Sequence, residues 1–280
     1  MTTSFNINGQ LMSFDQAKIM GVLNQTPDSF YNRGRNSSFD EALDLAERMV
    51  AEGVDILDIG GQSSRPGSKR VGVTEEIDRV VPVIEVLHNR FPEIPISVDT
   101  YFAAVAKEAV KAGALIVNDI SAGLMDEQML PTISELKVSY IMMHMQGTPE
   151  NMQTNPHYED VVLEIFDFLK DRLILAQALG IKDVAIDLGF GFGKTLEQNY
   201  VLLRNLEVFE MLKVPILVGI SRKSMIYKHL GIDPDDALNG TTALHMLALE
   251  RGANILRVHD VKEAVQAKKI YEIFMQAKKN

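Results

Sequence analysis

Eight short apolar runs recur along this chain, each ending in polar or glycine-containing residues and most leading into a segment of helical periodicity. No other feature narrows the fold so far. A strand buried on both faces reads as a continuous apolar run, and alternation of such runs with amphipathic segments means parallel strands joined by helices. The runs are Ile19 to Leu23, Asp55 to Ile59, Ile94 to Val98, Ala114 to Val117, Tyr140 to Met143, Val184 to Ile186, Ile216 to Gly219 and Ile255 to Arg257. Helical periodicity is clearest at Phe39 to Ala51, Glu75 to Arg90, Ala103 to Lys111, Tyr158 to Leu179 and Val261 to Ala277. Ser38 followed by Glu41 reads as a capping box for the first of these, and Gly53, Gly113 and Gly180 stand where C-caps belong.

Eight βα repeats with no Pro/Gly-rich or charged linker favour an α/β class closed barrel, the (β/α)8 or TIM barrel, over an open doubly wound sheet. The 280 residues suit it, since such barrels usually take roughly 250. We therefore expect one domain over residues 1–280. Asn8-Gly9, between the alternating stretches Ser4 to Ile7 and Gln10 to Phe14, is the signature of a tight turn and predicts an N-terminal β-hairpin within residues 1–14.

In such barrels the loops after the strands carry the chemistry. Here every strand end is polar: Asn24-Gln25-Thr26-Pro27-Asp28, Gly60-Gly61-Gln62-Ser63-Ser64-Arg65, Asp99-Thr100, Asn118-Asp119, His144-Met145-Gln146, Asp187, Ser221-Arg222-Lys223-Ser224 and Arg257-Val258-His259. Two chemical kinds emerge. Asp99, Asn118 and Asp187 directly follow apolar runs and suit a flat, nitrogen-rich heterocycle, because a carboxylate accepts two parallel N–H bonds and Asn both donates and accepts. Arg65, Arg257 and His259 are anion-seeking groups on separate loops, and their convergence in a chain of net charge −10 would make a local positive site suited to pyrophosphate. Asn24 and Asp28 could add oxygen ligands for Mg2+, which takes a few protein oxygens plus substrate phosphates. Lys223 is placed either to pack along a ring and reach a heterocycle oxygen or, with its pKa lowered by desolvation and the adjacent Arg222, to form a Schiff base.

Other chemistries are excluded. With no cysteine, thiol nucleophiles, disulfides and thiolate-bound zinc are impossible, and the acidic balance argues against a nucleic-acid partner. Gly189-Phe190-Gly191-Phe192-Gly193-Lys194-Thr195 is glycine-rich but lacks the first Walker glycine, with Leu188 in its place, and does not match a dinucleotide fingerprint. No H-E-x-x-H or G-x-S-x-G occurs. Met142, Met143 and Met145 read as core filler, Met145 also as a pocket wall. Neither a signal peptide nor a run of about 18 apolar residues is visible, so we expect no membrane partner and a cytoplasmic protein.

The strings NQTPDSF at 24–30, GGQSSRPG at 60–67, SVDT at 97–100, VNDI at 117–120, MHMQGTP at 143–149, DLGFGFGKT at 187–195, SRKS at 221–224 and RVHDV at 257–261 span nearly the whole chain, in order, and resemble the dihydropteroate synthases. That resemblance implies a transferase of folate biosynthesis that joins 6-hydroxymethyl-7,8-dihydropterin pyrophosphate to p-aminobenzoate. It implies that Asp99, Asn118, Asp187 and Lys223, with Met145 and Phe192, hold the pterin. Asn24, Arg65, Arg257 and His259 then handle the pyrophosphate, with Asn24 toward Mg2+, and together with Lys223 form the catalytic set. Phe30, Ser64, Pro66, Lys223 and Ser224 take the p-aminobenzoate side, where sulfonamides would compete, and a homodimer is implied as well. The chain departs from the family's usual wording at Gln62, where Glu is common, Ser64 for Thr, Gln25 for a small apolar residue and Leu188 for Pro; the first two bear on the second loop. A pterin-dependent methyltransferase would have no use for Arg65, Arg257 and His259, and a non-catalytic pterin-binding relative could have lost the first two loops, both intact here.

Overall fold

The computed structural model describes residues 4–24, 35–62 and 70–277. Strands β1 (Ser4–Ile7) and β2 (Gln10–Ser13) pair antiparallel about Asn8 and Gly9. Both turn residues have positive φ, 50° and 88°, the geometry a two-residue hairpin turn requires.

The remaining strands are β3 (Lys18–Asn24), β4 (Ile56–Gly60), β5 (Ile96–Asp99), β6 (Ile116–Asp119), β7 (Ser139–Met143), β8 (Val184–Asp187), β9 (Ile216–Val218) and β10 (Ile255–Val258). Each pairs in parallel with its sequence neighbour, and β10 returns to β3, so the barrel closes. Helices α1 (Arg35–Glu52), α2 (Val73–Arg90), α3 (Ala103–Lys111), α4 (Met129–Leu136), α5 (Val161–Ala178), α6 (Leu196–Arg204), α7 (Ser224–Leu230), α8 (Leu238–Glu250) and α9 (Val261–Gln276) follow the strands. Among the described residues no helix is long and apolar enough to cross a membrane.

The expected glycine caps hold: Gly53, Gly113 and Gly180 have φ of 95°, 119° and 82°. The Ser38–Glu41 capping box does not. Helix α1 begins at Arg35, which places Ser38 inside its first turns, where its backbone N–H is no longer one of the orphans an N-cap serves. A capping box does open α6, where Thr195 Oγ1 accepts from Gln198 N and the Gln198 side chain accepts from Thr195 N.

Strand side chains alternate between two cores. Ile19, Leu57, Ile59, Val98, Val117, Met142, Ile186, Val218 and Leu256 face outward, against the helices. Met20, Ile56, Ile116, Ile141, Ala185, Leu217 and Ile255 face inward and pack with Phe5, Ile7 and Phe14. The hairpin thus stoppers the N-terminal end of the barrel, with Phe5 edge-on to Phe14 at 4.9 Å. Burial of each of these large side chains is worth roughly 1.5–3 kcal/mol. Only the opposite end is left for a ligand.

Candidate active site

Two residues along each strand from this apolar layer, on the same inward face, stand Asp58, Asn118, Met143, Asp187, Gly219 and Arg257, and Asp99 follows Ser97 in the same way. The last interior layer of the barrel is therefore largely polar, with Val22, Met143 and Gly219 as its apolar members. Of the residues read from sequence as ring-binding, Asp99, Asn118 and Asp187 all lie in it and are buried. Asp119, next to Asn118, points the other way and ties the following loop, accepting from Ser121 N, Gly123 N and Tyr140 Oη at 2.7 to 2.8 Å.

Arg257 spans this layer. Its Nε donates to Asp58 Oδ2 and its Nη2 to Asp99 Oδ2, each at 2.6 Å, and Asn118 Nδ2 donates to the same Asp58 oxygen at 3.2 Å. Burial alone would favour loss of the guanidinium proton, but Asp58 and Asp99 outweigh it and hold Arg257 charged. Burial, with Asp58, Asp119 and Asp187 adding, pushes Asp99 up to about 7 against the pull of Arg257. Arg257 is thus not set apart with the anion-seeking residues; it joins the two ends of the site.

Lys223 enters from the loop after β9. Its Nζ donates to Phe190 O at 2.5 Å and lies 4.7 Å from the centroid of the Phe192 ring. Burial draws its pKa down to about 8, Arg257 adding and Asp187 and Asp99 opposing, so it stays mostly protonated at neutral pH. The adjacent Arg222 has no part in this. It turns away to Asp260, with Nε–Oδ2 of 2.8 Å and Nη2–Oδ1 of 2.9 Å.

An apolar wall of Tyr101, Ile120, Met143, Met145, Met152 and Phe192 flanks the polar layer, and a cavity beside Asp99 runs out past Gln62, Tyr101, Met125 and Thr148. His259 lies at the exposed rim, its N and Nδ1 at 3.2 and 3.1 Å from Ser221 Oγ. Ser224 is the first residue of α7. Phe30, Ser64, Arg65 and Pro66, and with them Asp28, lie outside the described residues.

Asn24 is the last residue of β3. A Cβ on Gly60 would stand 3.1 Å from Asn24 Oδ1 and 3.7 Å from Asp99 Oδ2, so glycine there lets the amide oxygen lean over the mouth. Among the described residues no three His, Asp or Glu side chains converge on a metal position. One neutral oxygen donor at the rim fits an ion that brings most of its ligands with a phosphate substrate, as Mg2+ does.

Strand-end reasoning missed Asp58 and Glu76. Glu76, in the first turns of α2, is fully buried and accepts from Gln62 Nε2 at 2.6 Å, while Gln62 Oε1 accepts from Tyr101 Oη at 3.0 Å. Burial pushes Glu76 from 4.5 up to about 7. The folded protein keeps this proton to about pH 7, whereas the unfolded chain releases it near 4.5, so across that window stability falls as pH rises. Glu76→Gln should flatten that slope and raise stability at pH 8 by about 1–3 kcal/mol in denaturant titrations.

Comparison with known proteins matches this chain over residues 20–259 to the family described as pterin binding enzyme. It is 42% identical to the dihydropteroate synthase of Escherichia coli (strain K12) over 274 residues, 97% of this chain and 96% of that one. The Yersinia pestis dihydropteroate synthase, solved as a sulfonamide drug complex, superposes with a TM-score of 0.92 at 41% identity, covering 99% of this chain and all of that one. The Xanthomonas albilineans dihydropteroate synthase with 4-aminobenzoic acid gives 0.93 at 39% identity, over 99% and 100% of the two chains.

Proposed function

This chain belongs to the dihydropteroate synthases, and we propose that it condenses 6-hydroxymethyl-7,8-dihydropterin pyrophosphate with p-aminobenzoate, giving 7,8-dihydropteroate and pyrophosphate. The observation that carries this reading is the last interior layer of the barrel. There Asp99, Asn118 and Asp187 face one apolar slot with Lys223 beside it.

An aminopyrimidinone edge offers parallel N–H donors to Asp187 and Asp99, and Asn118 can both give and accept. Lys223, still charged at neutral pH, donates to a ring oxygen or nitrogen. Phe192 and Met145 close on the faces of the ring. The pyrophosphate then projects to the rim, within reach of Arg257 and His259, with Arg65 from the second loop completing the cluster.

In the reaction the bond between the pterin methylene and the pyrophosphate oxygen breaks, both electrons leaving with pyrophosphate. The electron-rich dihydropterin stabilises the methylene cation. The aryl amine of p-aminobenzoate forms the new C–N bond and releases a proton to solvent. That amine is already neutral at pH 7, so no residue is needed as a general base to start the attack. Arg257 contributes by fixed charge placed where the leaving group gains it. Mg2+, held by Asn24 and the pyrophosphate oxygens, would neutralise the leaving group further.

We assign p-aminobenzoate to Lys223 and Ser224, with Phe30, Ser64 and Pro66 as its further contacts by family resemblance, and sulfonamides should compete there. A multiply charged pyrophosphate ester does not cross a bilayer unaided and must be used where it is made, which supports a cytoplasmic reaction. The stripe Ile270, Ile273 and Phe274 on α9, exposed at helical i, i+3, i+4 spacing, supports a homodimer that buries it. The test of function is direct. Purified protein with Mg2+ and both substrates should yield dihydropteroate and free pyrophosphate in equal amounts, and absence of both products would refute the assignment.

A further inference from the structure

The glycine-rich loop between β8 and α6 reads like a phosphate loop, yet it is turned inside out. A phosphate loop aims backbone N–H groups at an anion. Here the five carbonyls from Gly189 to Gly193 each take a side-chain donor instead. Gly189 O and Phe192 O accept from Lys194 Nζ at 2.9 and 3.0 Å, Phe190 O from Lys223 Nζ, Gly191 O from Gln153 Nε2 at 2.6 Å and Gly193 O from Tyr158 Oη at 2.9 Å.

Lys194 is the centre of this arrangement. It is 3% exposed, its head group also lies 3.1 Å from His144 Nδ1, and no described carboxylate is within ion-pair distance of it, Asp187 acting on it only from farther off. Burial draws its pKa well down, Asp187 opposing and Lys223 adding, and burial together with Lys194 holds His144 neutral to about 2. A lysine head group buried with hydrogen bonds to neutral acceptors alone costs more than an apolar side chain of the same size would. Its compensation is the shape it imposes. Gly189, Gly191 and Gly193 all have positive φ, and a Cβ on Gly189 would stand 1.9 Å from His144 O, so the loop is folded around the ammonium and pressed onto the β7 loop.

We propose that Lys194 is a positioning residue for the pterin: its ammonium clamps the carbonyls on either side of Phe190, and so sets the Phe190 carbonyl that holds Lys223 and the Phe192 ring beside it. This rests on the assignment of Lys223 and Phe192 to the pterin pocket. Lys194 itself touches no substrate.

The test is calorimetric titration of 6-hydroxymethyl-7,8-dihydropterin into Lys194→Ala protein, with folded content followed by circular dichroism. The dissociation constant should rise about tenfold or more. n-Propylammonium, which replaces the deleted atoms, should restore much of the affinity, and tetramethylammonium, with no N–H donors, should not. Normal affinity in the folded variant would overturn the proposal, as would lost affinity that propylammonium leaves untouched. If Lys194→Ala does not fold, His144→Leu, which removes one partner of the ammonium, should give a smaller loss of affinity, and none would be contrary. Lys223→Ala run alongside separates the two layers: normal pterin binding there refutes the pocket assignment, whereas normal binding in the Lys194 variant alone refutes the positioning role.

Discussion

Arg257→Ala is expected to abolish turnover and to lower the unfolding free energy by about 3–5 kcal/mol, the cost of stranding buried partners of an ion pair. Asp58 is fully buried, its Oδ2 held by Arg257 and Asn118 while its Oδ1 has no protein partner, so loss of the guanidinium leaves a carboxylate with little to balance it. The sequence alone suggests lost affinity for pyrophosphate and nothing of the stability loss. Denaturant midpoints and steady-state rates check both. Because the two groups act as a unit, Asp58→Asn combined with Arg257→Ala should recover part of the lost stability without recovering activity. Stability equal to that of the unaltered protein in the single variant would contradict the account of this layer.

Asp99→Ala should abolish measurable binding of the pterin. Two charge-assisted hydrogen bonds at about 1.5–3 kcal/mol each correspond to a loss of a hundredfold or more. The variant should fold, since Arg257 keeps Asp58 as a partner. Calorimetry with the dihydropterin is the check, and affinity within a few fold of the unaltered protein would remove Asp99 from the pocket. Since burial pushes Asp99 up to about 7, a share of the folded protein carries it protonated at neutral pH. Binding that relies on the carboxylate should therefore strengthen as pH rises from 6 to 8.

The barrel was legible because its strands are buried on both faces. All eight runs became strands with ends shifted by two residues or fewer, and the Asn8-Gly9 turn and its paired strands formed as read. Polar residues that end a strand were legible too, which is how Asp99, Asn118 and Asp187 came to light. Asp58 was not, because it lies inside the run Ile56–Gly60 and looks like an interruption in a strand; only the two-residue period from Ile56 places it inward. The same period would have turned Asp119 away from the mouth. Glu76 reads as an ordinary acid in the first turn of a helix, where the dipole favours it, and nothing local shows that the turn packs against Gly61 and Gln62. Arg222 and Lys223 are neighbours in sequence, but a positive φ at Arg222 sends the two side chains to different partners. Ser38 fits a capping box on residue types alone, and the helix simply starts earlier.

The central claim is that one barrel mouth holds a pterin at its last interior layer and a pyrophosphate at its rim. Titrating 6-hydroxymethyl-7,8-dihydropterin and its pyrophosphate ester into Asp187→Ala and His259→Ala proteins tests it most directly. The account predicts that the Asp187 variant loses affinity for both ligands alike, while the His259 variant loses affinity for the ester and keeps it for the pterin. Equal losses for both ligands in the His259 variant, or an unchanged pterin affinity in the Asp187 variant, would contradict it.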